Sequence, residues 1–340
     1  MRWRKSITAA VAVLALGGAS ACGSSAGTTA KAAVPGPVSA ADLAKVTLKV
    51  GDQKGGVQAM LTAANFLGDL PYKIEWATFT SGPPLLEAAS AGAIDLGRVG
   101  NTPPIFAAAA KAKIAVVSVA TSNVEREALL VPSDSPVRDI PSLRGRTIGV
   151  AKGSSAHGQL LNTLRRAGLS TKDVRLSFLQ PSEAYAAFTQ HRIDAWAIWD
   201  PYTAQAQLDA GARTIADGRG SSNGLSFQAA STAALADAGK NAAIKDYLSR
   251  VVKAQKWADT HRAEWAKSWA QVTGLRLDVA QKTVEAGRDL PAPLDDAVVA
   301  SEQQLADAFG EEGTLPGKVD FSSFVDRRYG PELEAVRSNG

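Results

Sequence analysis

Residues 93–104 read AIDLGRVGNTPP and residues 192–202 read RIDAWAIWDPY. Each stretch brings Ile-Asp into a short apolar run and closes it with a polar turn and a proline. Read as strand, turn and helix start, the pair predicts the same structural unit built twice, about a hundred residues apart. Working outward, the first copy sits in an alternation of strands and helices. VTLKVG, KIEWATF, KIAVVSVA and EREALLVP read as strands. GGVQAMLTAANFLG, PPLLEAASAG and PPIFAAAAK read as helices between them. The second copy sits in another alternation: strands RTIGVA and DVRLSFL, helices SSAHGQLLNTLRRAG, SEAYAAFTQHR and DPYTAQAQLDAG, then strands RTIADG and GLSFQAAS. After Ser231 the chain reads as nearly all helix, broken near Thr273 and at 290–294.

Strands alternating with helices predict mostly parallel sheets with helices on both faces. Two such runs predict an α/β protein of two lobes. Lobe 1 is expected over 45–127 and 231–340, and lobe 2 over 128–230. In open sheets of this kind ligands bind beyond the C-terminal strand ends. The turns GDQKGG (51–56), FTSGPP (79–84), VGNTPP (99–104), AKGSSAHG (151–158) and IWDPY (198–202) all fall there. A helix N-terminus presents unpaired N–H groups and partial positive charge, so it binds anions without a cationic side chain. The paired prolines at 83–84 and 103–104 sharpen two such starts. The first proline of each pair is expected to cap and the second to open the helix. That leaves donors at Leu85, Leu86, Ile105 and Phe106 and in the loops around Gly82, Asn101 and Thr102. Gly82 and Gly100 allow close backbone approach. GSSAHGQ makes a third mouth, with hydroxyls on Ser154 and Ser155. Trp196 and Trp199 lie on opposite faces of one strand, one in the core and Trp199 walling the cleft. Asp95 and Asp194 stand at strand entries and read as structural, and Asp200 reads as a helix cap.

The chain has 340 residues, with 37 Lys+Arg against 33 Asp+Glu. Residues 1–21 read as an export signal: Arg2, Arg4 and Lys5, then the apolar stretch 7–16, then small residues. Ala19-Ser20-Ala21 suits an ordinary cleavage site. Before Cys22 it also resembles a lipobox, which would make Cys22 the lipidated first residue. Cys22 is the only cysteine, and a Gly/Ser/Ala-rich stretch follows it, so 22–44 reads as a flexible tether. Without residues 1–21 the count is 34 cations against 33 acids. No basic stripe argues for nucleic acid. His157, His191 and His261 lack metal-ligand spacing, and no phosphate-loop motif is present, so no cofactor is expected. GSSAHG has His157 where a nucleophile elbow needs glycine.

These residues resemble the aliphatic sulfonate-binding proteins of bacterial ABC transporters, within a group that also binds taurine and nitrate. The resemblance rests on QKGG at 53–56, FTSGPPLLEA at 79–88, GAIDLGRVGNTPPIFAAAA at 92–110, AKGSSAHGQLL at 151–161 and DAWAIWDPY at 194–202. It implies a periplasmic-binding-protein type II fold closing around a sulfonate. It also implies a non-catalytic, monomeric receptor on the outer face of the cytoplasmic membrane. Its implied partners are a permease and a separate ATPase. Nitrate or taurine is the alternative cargo. By position it implies ligand contacts at Gln53, Ser81, Gly82, Gly100, Asn101, Thr102, Ser154, Ser155, His157 and Trp199. Asp52 stands where the family commonly has an aromatic residue, and Asn101 replaces an acid seen in some relatives. Arg98 departs from the small or polar residue usual there. It has two readings: a surface ion pair, or a second anionic handle reaching into the cleft.

Overall fold

The computed structural model describes residues 33–315 and 317–339; Cys22, the expected signal and the first part of the expected tether lie outside the described residues. Four strands open the chain: β1 (Thr47–Gln53), β2 (Lys73–Phe79), β3 (Leu96–Gly100) and β4 (Ile114–Ser122). The chain then crosses into a second sheet of β5 (Glu127–Val131), β6 (Thr147–Val150), β7 (Arg175–Phe178), β8 (Ala195–Trp199) and β9 (Arg213–Asp217). It crosses back to β10 (Leu225–Ser231) and ends, after several helices, with β11 (Asp289–Ala292) in the first sheet. In space the sheets run β11-β4-β10-β3-β1-β2 and β7-β6-β8-β5-β9.

The two-lobed α/β reading holds, with both sheets mixed rather than purely parallel. β1 pairs in parallel with β2 and β3, and β6 with β7 and β8. β10 and β5 are antiparallel to both their neighbours. Both follow a crossing, so each enters its sheet from the opposite lobe and runs against the strands beside it. GLSFQAAS, expected as the last strand of lobe 2, is β10 and lies between β3 and β4. The return from lobe 2 therefore falls in the 218–224 turn rather than at 230. Alternation marks a strand but does not say which sheet takes it. The near-complete burial of β10 suits an interior position.

Helices cover both faces of each sheet. On one face of the first sheet Leu48, Val50 and Leu96 pack with the Gly56–Ala63, Ala238–Thr260 and Arg262–Thr273 helices. On the other, Val99, Val116 and Phe227 pack with the Gly82–Ser90, Thr102–Ala109 and Asp296–Glu311 helices. In the second sheet the Ser155–Arg166 helix covers one face, and the Pro181–Thr189 and Tyr202–Ala210 helices cover the other. Trp196 is fully buried in that last layer, so the core assignment falls to it and not to Trp199. Asp95 accepts the Lys49 N–H at 2.9 Å and Asp194 accepts the Thr147 N–H at 2.8 Å, each tying the start of a neighbouring strand.

Candidate functional site

The C-terminal strand ends of the two sheets face each other across a cavity of about 150 Å³. The helix starts around it differ from expectation by two residues. One helix begins at Gly82 and the other at Thr102, so both prolines of each pair lie inside the first turn. First-turn amides have no acceptor within the helix, so prolines there forfeit no hydrogen bond. The donors at each mouth are accordingly the amides of Ser81–Gly82 and Asn101–Thr102. Leu86 and Phe106 fall inside the helical ladder.

Ser81 and Asn101 hold the cap positions and are of the capping type, yet neither side chain caps its helix. Ser81 Oγ and Thr80 Oγ1 each donate to Gln180 Oε1 of the opposite lobe at 2.9 Å. Asn101 Nδ2 donates to Asn223 Oδ1 at 2.8 Å, and Thr102 Oγ1 to Asn101 Oδ1 at 3.0 Å. Two adjacent helix starts in lobe 1 thus keep their amides unspent by side chains. A Cβ on Gly82 would lie 2.5 Å from Pro103 Cγ, which shows how closely these starts pack. From lobe 2, Ser154 caps its own helix, accepting the His157 N–H at 3.4 Å and donating to the Ala151 carbonyl at 2.7 Å. Ser155, the first helical residue, lines the cavity. A Cβ on Gly100 would lie 2.8 Å from Ser155 Cβ, so the lobes touch at this point.

Of the residues expected at the site, Gln53, Gly82, Arg98, Gly100, Ser154, Ser155 and Trp199 line the cavity. Gln53 Nε2 donates to the Arg98 carbonyl at 2.9 Å and keeps a second N–H. Ser81, Asn101, Thr102 and His157 are not among the lining residues; the first three stand at the two lobe 1 helix starts beside it. His157 packs among Phe106, Phe178 and Phe309, and its Nδ1 accepts the Gly153 N–H at 3.1 Å. Burial pushes its pKa down to about 4. With Nδ1 spent on Gly153 and Nε2 buried without a partner, the imidazole reaches neither hydroxyl and is no base for Ser154 or Ser155. The third residue of an amphipathic helix points to the core, which a reading of the mouth alone does not show.

Arg98 meets neither expectation as stated. It pairs with Asp289 at 2.5 Å and donates to Ser226 Oγ at 2.9 Å, so it is an ion pair set in the cavity wall rather than at the surface. Its Nη2 is spent on these two partners, and the pairing of its charge weighs against the second-handle reading. Asp52, 4% exposed, accepts the N–H groups of Gln53, Val57 and Gln58 at 2.8–3.0 Å and so tethers the Gly56–Ala63 helix. Burial raises its pKa to about 6 in spite of those bonds. Asp200 is likewise raised by burial to about 6 and caps through the Ala204 N–H at 3.0 Å. Glu127 also lines the cavity; burial raises its pKa against the opposing pull of the Ser222 and Ser155 hydroxyls.

The sequence reading missed Lys54, Arg126, Glu127, Tyr202, Trp265 and Trp269 as cavity residues. Trp265 and Trp269 stack at 5.7 Å on one helix, and Trp269 Nε1 donates to the Lys54 carbonyl at 2.7 Å. The one available signal was WAKSW, which puts both indoles on one helical face.

The NMT1-like family model matches residues 58–274. A relative in Escherichia coli (strain K12), named for binding aliphatic sulfonates, is 37% identical over 286 residues, covering 83% of this chain and 89% of that one. The alkanesulfonate-binding protein SsuA from Xanthomonas axonopodis pv. citri, bound to MOPS, superposes with a TM-score of 0.76 at 36% identity, over 83% of this chain and 98% of that one. The periplasmic aliphatic sulphonate binding protein SsuA from Escherichia coli gives 0.72 at 36% identity, over 83% and 92%.

Proposed function

The chain belongs to the NMT1-like family, among its aliphatic sulfonate-binding members, and from that premise we propose that its cleft captures a sulfonate outside the cytoplasm for an ABC importer. The observation that carries the reading is the pair of uncapped lobe 1 helix starts facing Ser155 across the cavity. A sulfonate is a fixed, fully ionised oxyanion. Oriented backbone amides suit it because they need no proton exchange and no flexible cation. Three or four charge-assisted hydrogen bonds contribute roughly 1.5–3 kcal/mol each. Each CH₂ of the tail buried against Trp199 adds about 0.8 kcal/mol. Ordering and association subtract several kcal/mol. The balance is near −8 kcal/mol, a micromolar dissociation constant. The cleft binds and releases its cargo unchanged, as befits relatives that are binding proteins.

A thermal-shift and calorimetric series with alkanesulfonates, taurine, nitrate and sulfate tests this reading. Micromolar binding of alkanesulfonates, with nitrate and sulfate weaker, is the expected result. Preference for nitrate would turn the reading to the alternative cargo. The same reading has the protein act as a monomer beside a permease and a separate ATPase, held by a lipid on Cys22. A bacterial lipoprotein carries several acyl chains, enough for stable anchoring. Cys22→Ala should then move the protein from the membrane fraction to the soluble one. An alkylatable Cys22 thiol in the unmutated protein would count against the anchor.

A further inference from the structure

The cavity has two chemically different walls, because its lining comes from opposite faces of the sheets. One wall is made by the starts of the Gly82–Ser90, Thr102–Ala109 and Ser155–Arg166 helices, which carry the amide mouths. The other is made by the Gly56–Ala63, Arg262–Thr273 and Tyr202–Ala210 helices, which carry Trp265, Trp269 and Tyr202. Lys54 stands on this second wall. Its backbone is held at φ +50°, in the left-handed region that residues with a Cβ rarely adopt. The Trp269 indole pins its carbonyl there. Its ammonium crosses to lobe 2 and lies 5.0 Å from the centre of the Tyr202 ring.

Three cations line the cavity, and they are not equivalent. Arg98 has Asp289 at 2.5 Å and Arg126 has Asp200 at 4.0 Å. Lys54 has no carboxylate within ion-pair distance among the described residues. On the same wall Trp265 is 4% exposed, and its indole N–H finds no acceptor. Leaving a buried donor unpaired costs about 1–3 kcal/mol. An ammonium without a carboxylate and a buried orphan N–H, on one wall of the same cavity, form a donor set for an acceptor that the described chain does not supply.

We propose, resting on the sulfonate reading above, that the cargo is a bifunctional anion: its sulfonate sits at the amide mouths and a second anionic group at the far end of its tail meets Lys54 and the Trp265 N–H. The second handle once assignable to Arg98 therefore belongs to a residue whose charge is not already paired. The aromatic rings between the two ends pack the tail.

Isothermal titration of the mature protein with propane-1-sulfonate, 3-sulfopropanoate and propane-1,3-disulfonate tests this. A preference of about tenfold or more for either bifunctional ligand over propane-1-sulfonate is expected. Preference for the sulfopropanoate makes the second group a carboxylate, and preference for the disulfonate makes it a sulfonate. Lys54→Gln should bring the preference close to one. Trp265→Phe, on a separate element, should reduce it even if Lys54→Gln disturbs its turn. Ligand-free thermal melts of both variants report folding. Tight binding of all three ligands without preference overturns the inference and leaves the sulfonate reading standing. Equal losses for all three in Lys54→Gln also overturn it, since Lys54 would then serve the sulfonate. Failure of every sulfonate to bind overturns the sulfonate reading, and this inference with it.

Discussion

Asp95 in lobe 1 and Asp194 in lobe 2 do the same job. Each closes a two-way bond with a neighbouring strand: Asp95 N donates to the Lys49 carbonyl and Asp194 N to the Thr147 carbonyl, both at 2.8 Å, while their carboxylates take the returning N–H. At the opposite strand ends the lobes part company. Lobe 1 turns Ser81 and Asn101 away from their helices, whereas lobe 2 uses Ser154 as a conventional cap. The two lobes therefore match where they build the sheet and differ at the helix starts around the cavity. Lobe 1 brings its uncapped helix starts to the cavity, and lobe 2 meets it at Ser155.

The largest expected effect tests that division of labour. Gly100→Val places carbons where Ser155 of the other lobe already lies. Ligand affinity should fall about a hundredfold, or about 2.7 kcal/mol, while the ligand-free melt stays close to that of the parent. Retained affinity by calorimetry would mean that the lobes need not meet here.

Next come the two aspartates. Asp95→Ala breaks a 2.7 Å pair between a 4% exposed carboxylate and Lys240, and removes the strand tie as well. A loss of about 3 kcal/mol in urea unfolding is expected. Asp194 pairs with Arg146 at 3.2 Å in a more open setting, so Asp194→Ala should cost about 1 kcal/mol. Equal losses would erase the difference in burial that we read between them.

The caps differ more modestly. Ser154→Ala should lower stability by about 1 kcal/mol, as loss of a working cap does. Ser81→Ala should stay within about 0.5 kcal/mol, since its hydroxyl serves Gln180 instead. The reverse order in chemical denaturation would show that Ser81 caps after all.

A last effect lies in pH, at the seam between the lobes. Burial first, and the charge of Glu127 second, push Glu302 up to about 8, although Asn223 donates to it at 2.8 Å. An unfolded glutamate titrates near 4.5, so between the two values the native state holds an extra proton and stability falls as pH rises. His157 acts in the opposite sense. Its folded pKa of about 4 lies below the ordinary value of 6.5, so stability rises with pH between those values. Above 6.5 the histidine contribution dies away within about a pH unit and the Glu302 slope remains. The melting midpoint should fall by a few degrees from pH 6.5 to 8.5. Glu302→Gln should flatten that fall, and an unchanged slope in the variant would remove Glu302 from the account.

Much of this was legible in the sequence because it is local. Strand alternation, the two Ile-Asp entries and the opposite faces of Trp196 and Trp199 follow from spacing alone. What was not legible depends on contacts between distant segments. Arg98 and Asp289 are 191 residues apart, and only the folded first sheet shows that the arginine is already paired. Trp265 and Trp269 reach the cavity because the chain returns to lobe 1 before building their helix, a fact of topology rather than pattern. The sheet membership of β10 was hidden for the same reason.

The two chain crossings have a mechanical consequence. They do not run separately: Ser122 N donates to the Gly224 carbonyl at 2.7 Å, joining one crossing to the other. A Cβ on Gly218 would lie 2.3 Å from the Val124 carbonyl oxygen, and one on Gly224 would lie 2.5 Å from that of Ser122. Two ribbons laced this tightly share a single bending axis, because neither can twist without dragging the other. Any opening of the cleft would then turn like a book on a stitched spine, and the angle of the covers would be the one quantity left for a ligand to set.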